Sequence, residues 1–319
     1  MTMGATMTTA TVAASARGGP FDLGDSAAYA RWRDHKLEGY PQSAAGLVVE
    51  VRDPRRLTDA ERRHVVALCR KANMAVYASP LAGVADKSIA RRLGEQLGLR
   101  RLDHNMLADE DGITALQQVP GKSARGYIPY SNRRLLWHTD GYYNPAHRRI
   151  RGMLLHCVNP ASGGGENQLL DHEMAYILLR ERDPEHVRAL MVPDAMTIPA
   201  NPEDGRAASV GPVFLVDDDG TLAMRYTART RSIEWKSDDA TREAVAALEA
   251  VLAEPSPFRF ALRLEGGHGL VCNNVLHNRT GFEDAPDQAP RLVYRGRYLD
   301  RIAGTGIQEA IEDEGVAQC

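Results

Sequence analysis

Leu135-Leu136-Trp137-His138-Thr139-Asp140-Gly141 is the stretch on which the reading of this chain turns. Leu135 to His138 has the apolar and aromatic character of a short strand, and on a strand the side chains at i and i+2 share a face. A His-x-Asp step placed there aims one imidazole and one carboxylate at a single point. Gly141 follows at once, a residue suited to backbone that must approach a ligand closely. Of the ten histidines, only His138 has an acidic residue two positions later. Far downstream, Asn273-Asn274-Val275-Leu276-His277-Asn278-Arg279 supplies a second histidine. His138, Asp140 and His277 together would make a two-histidine, one-carboxylate set that holds one face of an iron(II) ion and leaves the opposite face open for a co-substrate and O2. The competing reading is a loop histidine beside a solvated aspartate. A lone His-x-Asp is weak evidence, so the rest of the chain decides.

The tail of the sequence supports the metal reading. Arg291, Val293, Arg295 and Arg297 recur at period two, which places three arginines on one face of a strand. Buried without partners they would repel one another, so either the strand is an exposed basic edge or anionic ligands neutralise it. A planar guanidinium grips a carboxylate through two parallel hydrogen bonds, which favours the ligand reading.

The composition bounds the alternatives. The 319 residues are 43% hydrophobic with a formal net charge of -3, enough for a sizeable core and no invitation to a nucleic-acid partner. No apolar run is long enough for a membrane span. Residues 1–20 read as a disordered tail without the features of a secretory signal, and residues 21–319 as a single domain. Cys69, Cys157, Cys272 and Cys319 are widely spaced, with no CxxC pair. They suit neither a disulfide scaffold nor a zinc knuckle, which points to the cytoplasm.

Thr58-Asp59-Ala60-Glu61 is a capping box that opens a helix, and a second helix is expected from about Lys87 to Leu97. From about residue 127 the pattern changes to short strands broken by turn residues. Strands are expected over Ile150–Val158, Glu166–Leu170, Phe258–Leu264, Gly269–Asn274 and Leu292–Leu299. A hairpin turns at Asp217-Asp218-Asp219-Gly220, and helices begin at Asp171 and near Ser237. The implied fold class is mainly β with helices (α+β): a double-stranded β-helix, or jelly roll, decorated by helices.

The His138-Thr139-Asp140 step, the distal His277 and the R-x-x-x-R step of Arg291 and Arg295 resemble the iron(II)/2-oxoglutarate dioxygenases of the taurine dioxygenase and clavaminate synthase-like superfamily. Gly163-Gly164-Gly165-Glu166-Asn167 is similar to that superfamily's Gly-Gly-Asp/Glu-Thr/Ser segment, with Asn167 in the last position. Gly211 to Phe214 and Met224-Arg225-Tyr226 resemble the glutarate hydroxylase branch, whereas Leu155-His156-Cys157 and Val275 to Phe282 are similar to the gamma-butyrobetaine hydroxylase branch. The resemblance implies Fe(II) on His138, Asp140 and His277, and 2-oxoglutarate as co-substrate with its far carboxylate on Arg291 and Asn167. It implies that Arg295 meets either the co-substrate's other carboxylate or an anionic substrate. The reaction would hydroxylate a C–H bond of a small carboxylate-bearing metabolite, releasing succinate and CO2.

Tyr142 and Tyr143 are candidates for the substrate pocket. Trp137, His156 and His172 read as packing residues, and Asn273 and Asn274 as groups that orient His277. Arg225, Arg229 and Arg231 read as a solvated basic loop or a lid, and the polar segment Pro199–Gly211 is long enough to cover a pocket. Two other classes compete: a non-catalytic jelly-roll sensor of dicarboxylates and a zinc hydrolase, the latter disfavoured by the arginine pair. Desaturation or ring formation in place of hydroxylation stays open, as does assembly into a homo-oligomer.

Overall fold

The computed structural model describes residues 18–104, 111–118 and 128–307. Most of the expected tail and Cys319 lie outside the described residues. Two sheets form the framework. The larger has six strands in the order Val48–Glu50, Met74–Ala78, Gly269–Cys272, Gly152–Asn159, Leu292–Tyr298 and Thr114–Leu116. The smaller has four, in the order Arg259–Leu262, Asn167–Leu170, Leu276–Arg279 and Leu135–His138. Neighbours are antiparallel except the Val48–Glu50 and Met74–Ala78 pair, which is parallel. This is the expected jelly roll, but its large sheet begins well before residue 127. Met74–Ala78 is buried along its whole length, so it lacks the alternation that marks a half-exposed strand.

Alternation along the central strands divides the core. Met153, Leu155, Cys157 and Val293 point between the sheets into the main apolar cluster. Leu154, Val158, Tyr294 and Tyr298 point outward, under the helices Asp59–Ala72 and Ser88–Gln96. The first of these helices starts with the expected capping box: Thr58 Oγ1 accepts the Glu61 N–H, and the Glu61 carboxylate accepts the Thr58 N–H. His156, hydrogen-bonded to Tyr77 at 2.9 Å, and His172, on the Leu222 carbonyl at 3.0 Å, are buried packing residues, as is Trp137. Cys69, Cys157 and Cys272 are free, buried thiols. Among the described residues, no helix is long and apolar enough to cross a membrane.

Candidate active site

His138 ends its strand directly opposite His277, the two being register partners of adjacent antiparallel strands. Their ring centroids stand 4.2 Å apart. Asp140 is not on the strand as expected; it lies in the turn that follows, and what aims it is side-chain chemistry. Thr139 locks the connecting residue to Tyr226, donating its N–H to the Tyr226 carbonyl at 3.0 Å and accepting the Tyr226 N–H on Oγ1 at 3.1 Å. Asn274 then grips Asp140 itself. Its Oδ1 accepts the Asp140 N–H at 2.8 Å, and its Nδ2 donates to the carbonyls of Asp140 at 3.0 Å and Ile150 at 2.9 Å. Asn274 does this from a left-handed backbone conformation, φ 53°, which asparagine tolerates better than most residues. Gly141 is left-handed too, φ 66°, and a side chain there would run into Ile150.

The three candidate ligand atoms lie within 4.8 Å of one another in a buried cage. Each imidazole has its Nδ1 2.9 Å from a backbone carbonyl, Leu136 for His138 and Val275 for His277. A carbonyl only accepts, so Nδ1 carries the proton and Nε2 keeps its lone pair. Burial, then the neighbouring His277, pushes His138 down to about 3, and burial likewise lowers His277. Both rings are thus neutral donors. Asn274, expected to orient His277, instead fixes the Asp140 backbone, and the Val275 carbonyl orients the ring.

Burial by itself would raise the Asp140 carboxyl, yet Arg295 and then Arg297 hold it well below the usual carboxylate range. Arg295 Nη1 donates to Asp140 Oδ1 at 3.2 Å. Asp140 Oδ2 is buried with no partner. Two neutral imidazole nitrogens and an orphaned carboxylate oxygen converging in one cage are a donor set that fits iron(II).

The three arginines do share the inward face, and they are buried: Arg291, Arg295 and Arg297 are 8%, 9% and 3% exposed. That rules out the exposed basic edge. Their partners differ. Arg297 pairs with Asp103 at 2.5 Å and donates to the Tyr143 hydroxyl at 2.8 Å. Arg295 has Asp140. Arg291 has no ion pair among the described residues; it lies over the Phe282 ring at 5.0 Å, with Nη1 buried and unpartnered. It opens into a small pocket shared with Leu155, Gly165, Asn167, Val293 and Arg263. Arg263 escaped the sequence reading. It sits just past the Arg259–Leu262 strand and was counted as an ordinary strand residue.

Tyr142 and Tyr143 follow the cage and pack edge to face, 5.2 Å apart. Arg225 is buried and holds the carbonyls of Met196 and Ser209, so it belongs to no solvated loop, whereas Arg231 is exposed. Pro199–Gly211 is not featureless: a bridge joins Asn201 to Arg206, and Ser209–Gly211 forms a strand.

Comparison with known proteins agrees with this geometry. Residues 40–297 match the family described as Taurine catabolism dioxygenase TauD, TfdA family. A uridine-5'-phosphate dioxygenase of Amycolatopsis sp is 30% identical over 228 residues, covering 69% of this chain and 81% of that relative. A second protein of that name, from Streptomyces sp, is 32% identical over 203 residues, 60% of this chain and 70% of its own. Among solved structures, asparagine oxygenase in complex with Fe(II), 2S,3S-3-hydroxyasparagine and succinate superposes with a TM-score of 0.58 at 16% identity, over 90% of this chain and 87% of that one. The non-heme iron oxygenase OrfP in complex with Fe and alpha-ketoglutaric acid gives 0.56 at 16% identity, over 84% and 90%. At such identities the structures speak for the fold. The chain belongs to the taurine catabolism dioxygenase TauD, TfdA family and is a dioxygenase, which sets aside the sensor and hydrolase alternatives.

Proposed function

We propose that this family member is an iron(II)- and 2-oxoglutarate-dependent hydroxylase of a small anionic metabolite. One observation carries the reading: polar atoms are left buried and unpartnered both in the His138, Asp140, His277 donor set, at Asp140 Oδ2, and at Arg291 Nη1. The first asks for a divalent metal and the second for an anion. When bound, the ferrous ion supplies O2 activation coupled to oxidative decarboxylation of 2-oxoglutarate to succinate and CO2.

The protein's own residues do the rest. The Leu136 and Val275 carbonyls keep the Nε2 atoms free of protons. Asn274 fixes the Asp140 backbone and so aims its side chain inward, while Arg295 and Arg297 keep the carboxylate ionised. Arg291, with Asn167 and Arg263 around the same pocket, takes the far carboxylate of the co-substrate. Leu155 and Val293 line that pocket with apolar surface, which strengthens the ion pair by excluding water. Arg295 offers an unpartnered Nε for the co-substrate's other carboxylate or for an anion on the substrate, and Tyr142 and Tyr143 border the open side.

Two relatives are named for uridine 5'-phosphate, so a nucleoside monophosphate is the first substrate class to try. The test is a screen of nucleotides, amino acids, dicarboxylates and sulfonates for stimulated succinate release. Release that needs both iron(II) and 2-oxoglutarate supports the reading; metal-independent release, or none with any co-substrate, counts against it.

A further inference from the structure

The open side of the cage carries positive charge that the reading above leaves unused. Thr227 forms a bridge with His138, so the chain that follows it runs beside the metal ligands. Thr227 Oγ1 accepts the Arg229 N–H at 3.2 Å. Thr227 and the Arg229 guanidinium lie close beside the Tyr142 phenol. From the opposite side, the Asn201–Arg206 bridge turns on Gly205, left-handed at φ 61°, and holds Arg206 over the Tyr143 ring at 5.6 Å. Arg206 also bears electrostatically on Tyr142. Two guanidinium groups from separate segments therefore flank the Tyr142–Tyr143 pair beside the cage, Arg206 at Tyr143 and Arg229 at Tyr142.

Neither has a carboxylate partner among the described residues. Arg206 Nη1 is buried without a hydrogen-bond partner. The charged neighbours of Arg229 are themselves cations, Arg231 and Arg133, and burial followed by Arg231 depresses its guanidinium. Arg295 and Arg297 differ in this respect, since Asp140 and Asp103 neutralise them. Unneutralised, partly buried cations of this kind call for an anion from outside the chain.

The geometry points to an anion subsite formed by Tyr142, Arg206 and Arg229 that seats the phosphate of a phosphate monoester substrate. The inference rests on the dioxygenase reading above and gives its substrate a handle. A phosphate monoester suits the subsite better than a carboxylate, because its near-double charge matches two free guanidinium groups and its three terminal oxygens can accept from both and from the phenol. Arg295 is then left for the co-substrate.

Calorimetric titration of the full-length protein, loaded with manganese(II) and 2-oxoglutarate so that no turnover occurs, tests this with uridine 5'-phosphate, ribose 5-phosphate and uridine as probes. The phosphates should bind at least about tenfold more tightly than uridine. Arg206→Gln and Arg229→Gln should each weaken the phosphates by about tenfold or more and leave uridine unchanged, whereas Arg231→Gln, at an exposed position, should stay within about twofold. Succinate formation by the unaltered protein is followed in parallel. Variant-sensitive phosphate binding without any succinate would uphold the subsite and sink the dioxygenase reading. Succinate formation with phosphate binding that is absent, or equal in wild type and both arginine variants, overturns the subsite.

Discussion

Two buried charged clusters lie in this molecule, and they are built on opposite terms. In one, Lys36 on the helix Ser26–Leu37 meets Asp171 at 2.7 Å and Glu173 at 2.5 Å, at the start of the helix His172–Arg182. The second Asp171 oxygen accepts from Asn73, whose own oxygen accepts from Arg301 and Asn273. The charges there pair within the protein, and only the neighbouring His172 Nδ1, 4.0 Å from Asp171, is left without a hydrogen bond. In the other cluster, around His138, Asp140 and His277, the account does not close: Asp140 Oδ2, Arg295 Nε and Arg291 Nη1 are buried and unpartnered. Burial of charge is common to both, so it does not mark a functional site. What sets the second cluster apart is that its unpartnered atoms belong to charged groups beside a metal-ligating set, whereas isolated unpartnered atoms such as His156 Nε2 also occur at packing residues.

The comparison can be broken most severely at the metal ligands. His138→Ala, Asp140→Ala and His277→Ala should each abolish iron(II) uptake and turnover while circular dichroism and urea midpoint stay near wild type. Removing one donor leaves too few to hold a weakly bound divalent ion. A variant that kept wild-type iron affinity would refute the assignment. The mirror experiment is Lys36→Met, which strands two buried carboxylates and should cost roughly 3–5 kcal/mol of stability. Iron affinity of the folded fraction should not change; a shift in that affinity would mean the clusters are not separable.

Arg291→Lys probes the second ligand. A point charge replaces a planar fork, and losing one charge-assisted hydrogen bond costs about 1.5–3 kcal/mol, so the KM for 2-oxoglutarate should rise roughly ten- to a hundred-fold. An unchanged KM moves the role to Arg295. The smallest effect is expected at Asn274. Glycine accepts its left-handed backbone, so Asn274→Gly keeps the turn and removes the side-chain bonds to Asp140 and Ile150. Iron(II) affinity should fall about tenfold, at the low end for such supporting groups because Arg295 still holds the carboxylate. Unaltered affinity would reduce Asn274 to a turn residue.

The same distinction explains what could be read from the sequence. His138-Thr139-Asp140, His277 and the alternating arginines were legible because residue type and local spacing already carry their chemistry. The jelly roll followed from short strands with inserted helices. What stayed hidden depends on pairing between distant segments. Met74–Ala78 joins the large sheet only because Gly269–Cys272 lies beside it. Arg297 is withdrawn from ligand binding by Asp103, far away in sequence. Asp140 leaves the strand, and its aim comes from Asn274. Arg263 and Arg206 look like ordinary surface arginines until the fold shows what they face.

Iron(II) and 2-oxoglutarate should occupy the cage together. Anaerobic titration monitored by visible absorption tests this most directly, since a ferrous ion chelated by a 2-oxo acid acquires a metal-to-ligand charge-transfer band that neither partner shows alone. A saturable band should appear that needs both additions and is missing in Asp140→Ala. Iron uptake without that band on saturation with 2-oxoglutarate would contradict joint occupancy.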